Sequence, residues 1–282
     1  MPQTIYDLLK KGAQANYNAK FRRGNLIEMP AEGTLIVTGD LHGHRRNFER
    51  IQEYTDLQKN PQRHVLLQEI IHGGPQNAEG NCISYKLLFD AIRYKLEYPD
   101  QVHIIMSNHD TAFICENEII KNGKEMNRSI RSAMEGEFQE KCEDIINAMK
   151  EFFLSQPLAV TTPNRIWLSH SLPNEHFVDE FDASIFEKPL CEDDLKKPAS
   201  AYTLTWGRRH NQQTLDKMAQ ILNVDIFILG HQNQPEGWCK AGNNLIIIAS
   251  DHNHGCLVPI EMNESYTIER LTDSMVPISS IA

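Results

Sequence analysis

Thr34-Leu-Ile-Val-Thr-Gly-Asp-Leu-His-Gly-His44 decides how the rest of the chain reads. Leu35 to Val37 is an apolar β-run that stops at Gly39 and then presents Asp40 and His42. Side chains two apart on an extended strand project from one face, so a carboxylate and an imidazole arrive together at a strand end. Gly39 and Gly43 allow the backbone a tight turn around them. Such a pair is half of a divalent-metal site, and the other half has to come from later strand ends.

Four further stretches fit that requirement. They are Gln68-Glu69-Ile70-Ile71-His72-Gly73-Gly74, Met106-Ser107-Asn108-His109-Asp110, Leu168-Ser169-His170-Ser171 and Leu229-Gly230-His231-Gln232. Each follows a short run rich in leucine or β-branched residues. A single histidine after a strand is ordinarily structural, but the same kind of side chain at every one of these strand ends forms a pattern. Mixed carboxylate, imidazole and amide donors favour Mn²⁺, Fe or Zn²⁺ over Ca²⁺.

Between these stretches the hydrophobic spacing predicts alternating elements. Residues 4–20 read as a short helix with Ile5, Leu8 and Leu9 on its apolar side, and 45–58 as a helix through Phe48, Ile51 and Leu57. Tyr85, Leu88, Phe89, Ile92 and Leu96 share one helical face, which Pro99 closes. With strands at 64–68 and 102–106, the first 110 residues follow the pattern of a sheet with crossover helices, whose ligands bind at the carboxyl ends of the strands. Residues 113–155 are polar and helical, and are expected to form an insertion over one side of the site. Beyond Pro157, strands are expected at 158–162, 165–169, 224–229, 245–250, 256–261 and 266–271, with a helix at 211–222. The acidic stretch from Glu175 to Lys197 reads as a solvated surface loop.

The 282 residues suit one α/β domain spanning 1–282, with ample material for a core. The 28 basic and 38 acidic side chains give a net charge of -10, which argues against a nucleic-acid scaffold. Cys82, Cys115, Cys142, Cys191, Cys239 and Cys256 form no C-x-x-C pair, so neither a zinc ribbon nor a redox motif is indicated. Scattered single thiols fit a reducing compartment. The first residues lack a charged segment followed by an apolar run, and no stretch approaches the ~20 apolar residues of a spanning helix. A cytoplasmic protein with no membrane partner is expected.

The ordered set of motifs resembles the calcineurin-like metallophosphoesterases, and within them the phosphoprotein phosphatase (Ser/Thr protein phosphatase) branch. Gly39-Asp40-Leu41-His42-Gly43 matches the opening motif. Asn108-His109-Asp110 is similar to the Gly-Asn-His-Asp/Glu block, with Ser107 in place of its glycine. Ser169-His170 is similar to the block with a lone metal-binding histidine, and Leu204-Thr205-Trp206 to the Trp-containing block. Gly230-His231-Gln232, followed by Gly237-Trp238, looks like the His-Gln block. Ala249 to His254 resembles the late Ser-Ala-Pro-Asn-Tyr segment, with His254 at the tyrosine position. The likeness runs from about 34 to 261.

The resemblance implies a four-layer α/β/β/α sandwich of two mixed sheets. It also implies a phosphoric ester hydrolase that acts on a phosphoprotein or small phosphoester through two divalent metal ions. Asp40, His42 and Glu69 would hold one ion, and Glu69, Asn108, His170 and His231 the other. His109 would be the general acid, oriented by Asp110 or His72. The departures matter as much. Glu69 falls where a bridging aspartate belongs, and His72 where a carboxylate usually orients the catalytic histidine. Gly73 and Met106 stand where arginines grip phosphate, so Arg208 and Arg209, or Arg45 and Arg46, would have to substitute. These departures keep a phosphodiesterase or nucleotide hydrolase open, since a monoanionic diester needs fewer positive groups. They also keep open a catalytically weak binding homologue.

Overall fold

The computed structural model describes residues 4–121 and 123–281. Met1 to Gln3, on which the expectation of no signal peptide partly rests, lie outside them. Two mixed sheets dominate. In spatial order the larger runs Arg22–Arg23, Leu26–Glu28, Ala159–Thr161, Ile166–Ser169, Ile226–Leu229, Leu245–Ile248, Trp238–Ala241. The smaller runs Val276–Pro277, Cys256–Glu261, Thr34–Asp40, Arg63–Gln68, Val102–Ile104. Thr34–Asp40 lies at its centre, parallel to Arg63–Gln68 and antiparallel to Cys256–Glu261.

The alternation of side chains shows why the sheets stack face to face. Leu35, Val37, Leu66, Leu168, Ile226, Ile228, Ile246, Ile248 and Val258 share one buried cluster between the sheets. Their neighbours Ile36, Val65, Leu67, Trp167, Phe227, Leu229, Leu245 and Ile247 belong to a second cluster with the helices. Strands apolar on both faces need a cover on each side, and the helices supply the outer layers. The result is helix, sheet, sheet, helix. Ile5–Tyr17, Tyr85–Glu97 and Cys142–Leu154 pack together on one outer side, Gly12 allowing close approach to Ile92 and Phe152.

Three segments depart from the sequence-based expectation. Residues 266–271 are not a strand: Ile268–Asp273 is a helix whose cap Thr267 accepts a hydrogen bond from the Arg270 amide at 3.2 Å. Ile268 and Leu271, three apart, both face inward, a helical rather than a strand spacing. The 113–155 stretch holds the helices Met126–Phe138 and Cys142–Leu154, but also a two-stranded hairpin, Ile120–Lys121 paired with Lys124–Glu125. The 175–197 stretch is not merely solvated: Val178, Ile185 and Leu195 are buried, and Asn25 donates to the carbonyls of Ile185 (2.8 Å) and Lys188 (2.7 Å). Among the described residues no helix is long and apolar enough to cross a membrane.

Candidate metal centre

The site lies where the carboxyl ends of strands from both sheets meet. The register of Thr34–Asp40 shifts between Val37 and Asp40, a bulge that re-aims the last residue. Asp40 then joins the sheets: its carboxylate accepts from the His231 amide at 3.0 Å and its carbonyl from the Ser250 amide at 3.0 Å. Two glycines permit this approach. A Cβ on Gly39 would lie 2.2 Å from the Ile248 carbonyl oxygen, and one on Gly230 would lie 2.3 Å from Asp40 Oδ1.

Glu69 sits at the centre, 2% exposed. Its Oε1 accepts from Ser107 Oγ at 2.9 Å and lies 3.5 Å from His109 Nδ1, and its Oε2 lies 2.8 Å from His170 Nε2. Asn108 Oδ1 stands 2.8 Å from His170 Nε2 and 2.9 Å from His231 Nδ1. His42 Nε2 faces Asp40 Oδ2 at 3.9 Å, while its Nδ1 donates to the Ile71 carbonyl at 3.1 Å. His42, Glu69, His72 and His231 all have positive φ, between 43° and 66°. Non-glycine residues held there carry strain, and such strain gathers where side chains are aimed for function.

The hydrogen bonding around His170 is the best test of whether a cation fits. Gln68 Nε2 donates to the Thr38 carbonyl at 2.9 Å, which turns Gln68 Oε1 toward His170 Nδ1 at 2.8 Å. The Nδ1 nitrogen therefore carries the hydrogen, and Nε2 presents a lone pair. Burial lowers the His170 pKa, so the ring is neutral. That lone pair meets Glu69 Oε2 and the Asn108 oxygen, and with the carboxyl ionised all three are donors that one cation would satisfy together. His231 Nε2 and His109 Nδ1 are buried without a partner among the described residues. Two groups, His42 with Glu69 and His109, and Glu69 with His170 and His231, each bring ligand atoms within 4.8 Å of one another. The donor set suits a borderline divalent ion.

Without that ion the site burdens the fold. Burial raises the Glu69 carboxyl to about 8 and those of Asp40 and Asp110 to about 7. Burial also lowers His42 to about 4 and His72 to about 3. Below the ordinary histidine value of 6.5 these two classes oppose one another on unfolding. Above it the imidazoles are neutral in both states and only the carboxyls count. The folded chain then holds more protons than the unfolded one, so stability falls as pH rises from 6.5 toward 8. The expected slope is on the order of 1 kcal/mol per pH unit for each retained proton. Thermal denaturation of chelator-treated protein across that window checks this. Added Mn²⁺ should remove the slope, because it binds the ionised carboxylates.

The other expected site residues divide. Asp110 belongs to a capping box: its carboxylate accepts from the Ser107 amide at 3.0 Å and its own amide donates to Ser107 Oγ. Its Oδ2 caps the helix Asn108–Ile114. His72 is fully buried with its ring 4.6 Å from that of His109, and neither of its nitrogens has a partner among the described residues. Arg208 lines the cavity of about 370 Å³ that also holds Asp40, His42, Glu69, Asn108, His109 and His231. Arg209 is exposed and is not among the residues lining that cavity. Arg45 is paired with Asp90 at 2.6 Å, because it starts the helix Arg45–Thr55 on its solvent side. His254 is exposed, its amide donating to His252 Nδ1 at 3.2 Å.

Sequence reasoning missed Gln68, Lys121 and Asp251. Gln68 had a signal, a polar residue ending an apolar strand immediately before Glu69. Asp251 stood inside a quoted motif, and Lys121 had no signal at all.

Comparison with known proteins gives two findings. The family model for calcineurin-like phosphoesterases matches residues 33–235. Among solved structures, a protein serine/threonine phosphatase from Saccharomyces cerevisiae superposes with a TM-score of 0.71, at 12% identity, over 98% of this chain and 89% of that one. A cold-active protein-tyrosine phosphatase of a psychrophilic Shewanella species gives 0.56, at 13% identity, over 89% and 80%. At such identities the likeness is one of fold.

Proposed function

The chain belongs to the calcineurin-like phosphoesterases, a metal-dependent family that hydrolyses phosphoric esters, and on that premise we propose a phosphomonoesterase of the Ser/Thr protein phosphatase type. Its substrate is a phosphoprotein or a small phosphoester, and residues 1–282 act as one catalytic unit. The observation that carries this reading is the convergence of Glu69 Oε2, Asn108 Oδ1 and the His170 Nε2 lone pair, with the hydrogen of His170 turned away to Gln68. Asp40, His42 and Glu69 would hold one divalent ion, and Glu69, Asn108, His170 and His231 the second, the ions being Mn, Fe or Zn. Bound there, such ions polarise the phosphoryl group and make water a competent nucleophile at neutral pH.

The chain's own residues do the rest. Gln68 and the Ile71 carbonyl fix which nitrogen of His170 and of His42 is free to ligate. Arg208 faces the phosphate oxygens from the cavity wall. His109, in the same wall, protonates the leaving oxygen. Ile119 and Ile120 give that wall an apolar stretch.

The test compares hydrolysis of an aryl phosphate monoester with that of the diester by Mn²⁺-loaded protein, beside elemental analysis. Two ions per chain and a monoester kcat/KM at least about tenfold above the diester are expected, as for a site built to meet a dianion. A preference for the diester would assign a phosphodiesterase. Phosphate binding with neither activity would assign a binding homologue.

A further inference from the structure

The cation that grips phosphate in this fold is missing from its usual places, and the structure shows why it cannot return to them. A Cβ on Gly73 would lie 2.6 Å from the His42 carbonyl oxygen and 2.9 Å from His42 Cβ, so any side chain there displaces a proposed ligand. Met106 is fully buried in the core among the helices and is not among the residues lining the cavity. Another cation arrives from a different direction. Lys121 ends the first strand of the hairpin within the 113–155 stretch and lines the same metal-site cavity as Arg208. It also lines an adjoining cavity of about 370 Å³ bounded by Gly73, Gly74, Gln76, Lys124 and Asp251. Its Nζ donates to the His72 carbonyl at 3.4 Å, a long bond that leaves two of its hydrogens free. Among the described residues it makes no ion pair within 4.0 Å, although acidic side chains outnumber basic ones in this chain. Its charge reaches His42, His72, His109 and Glu69 alike.

We propose that Lys121 is the residue that grips the substrate's phosphate dianion, so that the hairpin of the inserted stretch, rather than the loop after Arg63–Gln68, sets the preference for monoesters. A lysine meets phosphate as a compact point charge. The ammonium faces the oxygens of the phosphoryl group from the wall it shares with Arg208. The inference rests on the phosphomonoesterase reading.

Lys121→Met keeps the length of the side chain and removes its charge. With Mn²⁺-loaded protein, the KM for an aryl phosphate monoester and the dissociation constant of inorganic phosphate measured by calorimetry should both rise about ten- to a hundredfold, the worth of a charged hydrogen bond. Metal content and melting temperature should stay at parental values. The diester, with one negative charge fewer, should be affected less, whereas a merely structural role would weaken both esters equally. Lys121→Arg should recover most of the loss. Unchanged phosphate affinity in Lys121→Met, or equal damage to monoester and diester, would overturn the clamp and leave the phosphomonoesterase reading standing. A Mn²⁺-loaded parent that neither binds phosphate nor hydrolyses either ester would overturn both.

Discussion

In the Glu69→Gln variant, metal content by elemental analysis should fall well below that of the parent, and turnover of an aryl phosphate monoester should drop by at least about a thousandfold. Glu69 is the only side chain that belongs to both candidate ligand groups, so its charge serves every ion the site would hold. Losing a Lewis acid worth several kcal/mol removes about three powers of ten in rate. Glutamine keeps the shape and still accepts from Ser107, which donates at 2.9 Å. Its amide could also donate to the lone pair of His170, which stands 2.8 Å from Oε2. The metal-free variant should therefore fold at least as stably as the metal-free parent, since a carboxyl whose pKa burial raises to about 8 has been replaced by a neutral group. Loss of rate then reports loss of metal, not loss of fold. A variant that retains parental metal content and rate would remove Glu69 from the centre.

The second large effect is expected from His109→Asn, and its signature is selectivity. Burial, followed by the neighbouring His72 and His42, holds the His109 imidazole well below its ordinary pKa, so the ring is neutral in the free protein. A proton on it becomes favourable only beside added negative charge, which a phosphate dianion in the shared cavity supplies. The proton matters most where the departing oxygen is basic. Removing the imidazole should cost about 10²- to 10⁴-fold on an alkyl phosphate such as phosphoserine, the usual span for a general acid. A nitrophenyl phosphate, whose leaving group departs as a stable anion, should lose far less. Metal content should not change. Equal losses on both esters, or lost metal, would make His109 a ligand in the group with His42 and Glu69 instead of an acid.

Much of this site was legible in the sequence because strands report their own ends. Runs such as Leu35–Val37 and Ile226–Leu229 are apolar at every position, which only a strand buried on both faces tolerates, and the polar residue that ends each run marks the carboxyl edge. Less legible was how single side chains are partnered, whether the partner is near or remote in sequence. Tyr266 to Leu271 reads as a strand by composition, yet Thr267 caps a helix and Ile268 and Leu271 are paired on its inner face. Arg45 follows the first motif directly, but the turn of its helix carries it to Asp90. Asp110 adjoins His109 in sequence, and its Oδ2 caps the helix. Lys121 could not be found, because a lysine in a polar stretch looks like any solvated charge until a hairpin lays it over the cavity. Gly73 looked like a deleted arginine, whereas its backbone lies against His42 so closely that no side chain fits.

The proposed donors stand on both halves of the sandwich. Asp40, Glu69 and Asn108 leave strands of the smaller sheet, and His170 and His231 leave strands of the larger. Their bite on a cation therefore depends on the gap between two slabs, and that gap is held by side chains that never see the ion. Ile226, Ile246, Val258 and Ile260 act as spacers in that gap. Trimming one of them would let the slabs settle closer and would retune affinity and choice of element together, with every ligand still in place. The apolar interior is thus a calibration layer for the coordination chemistry at its rim.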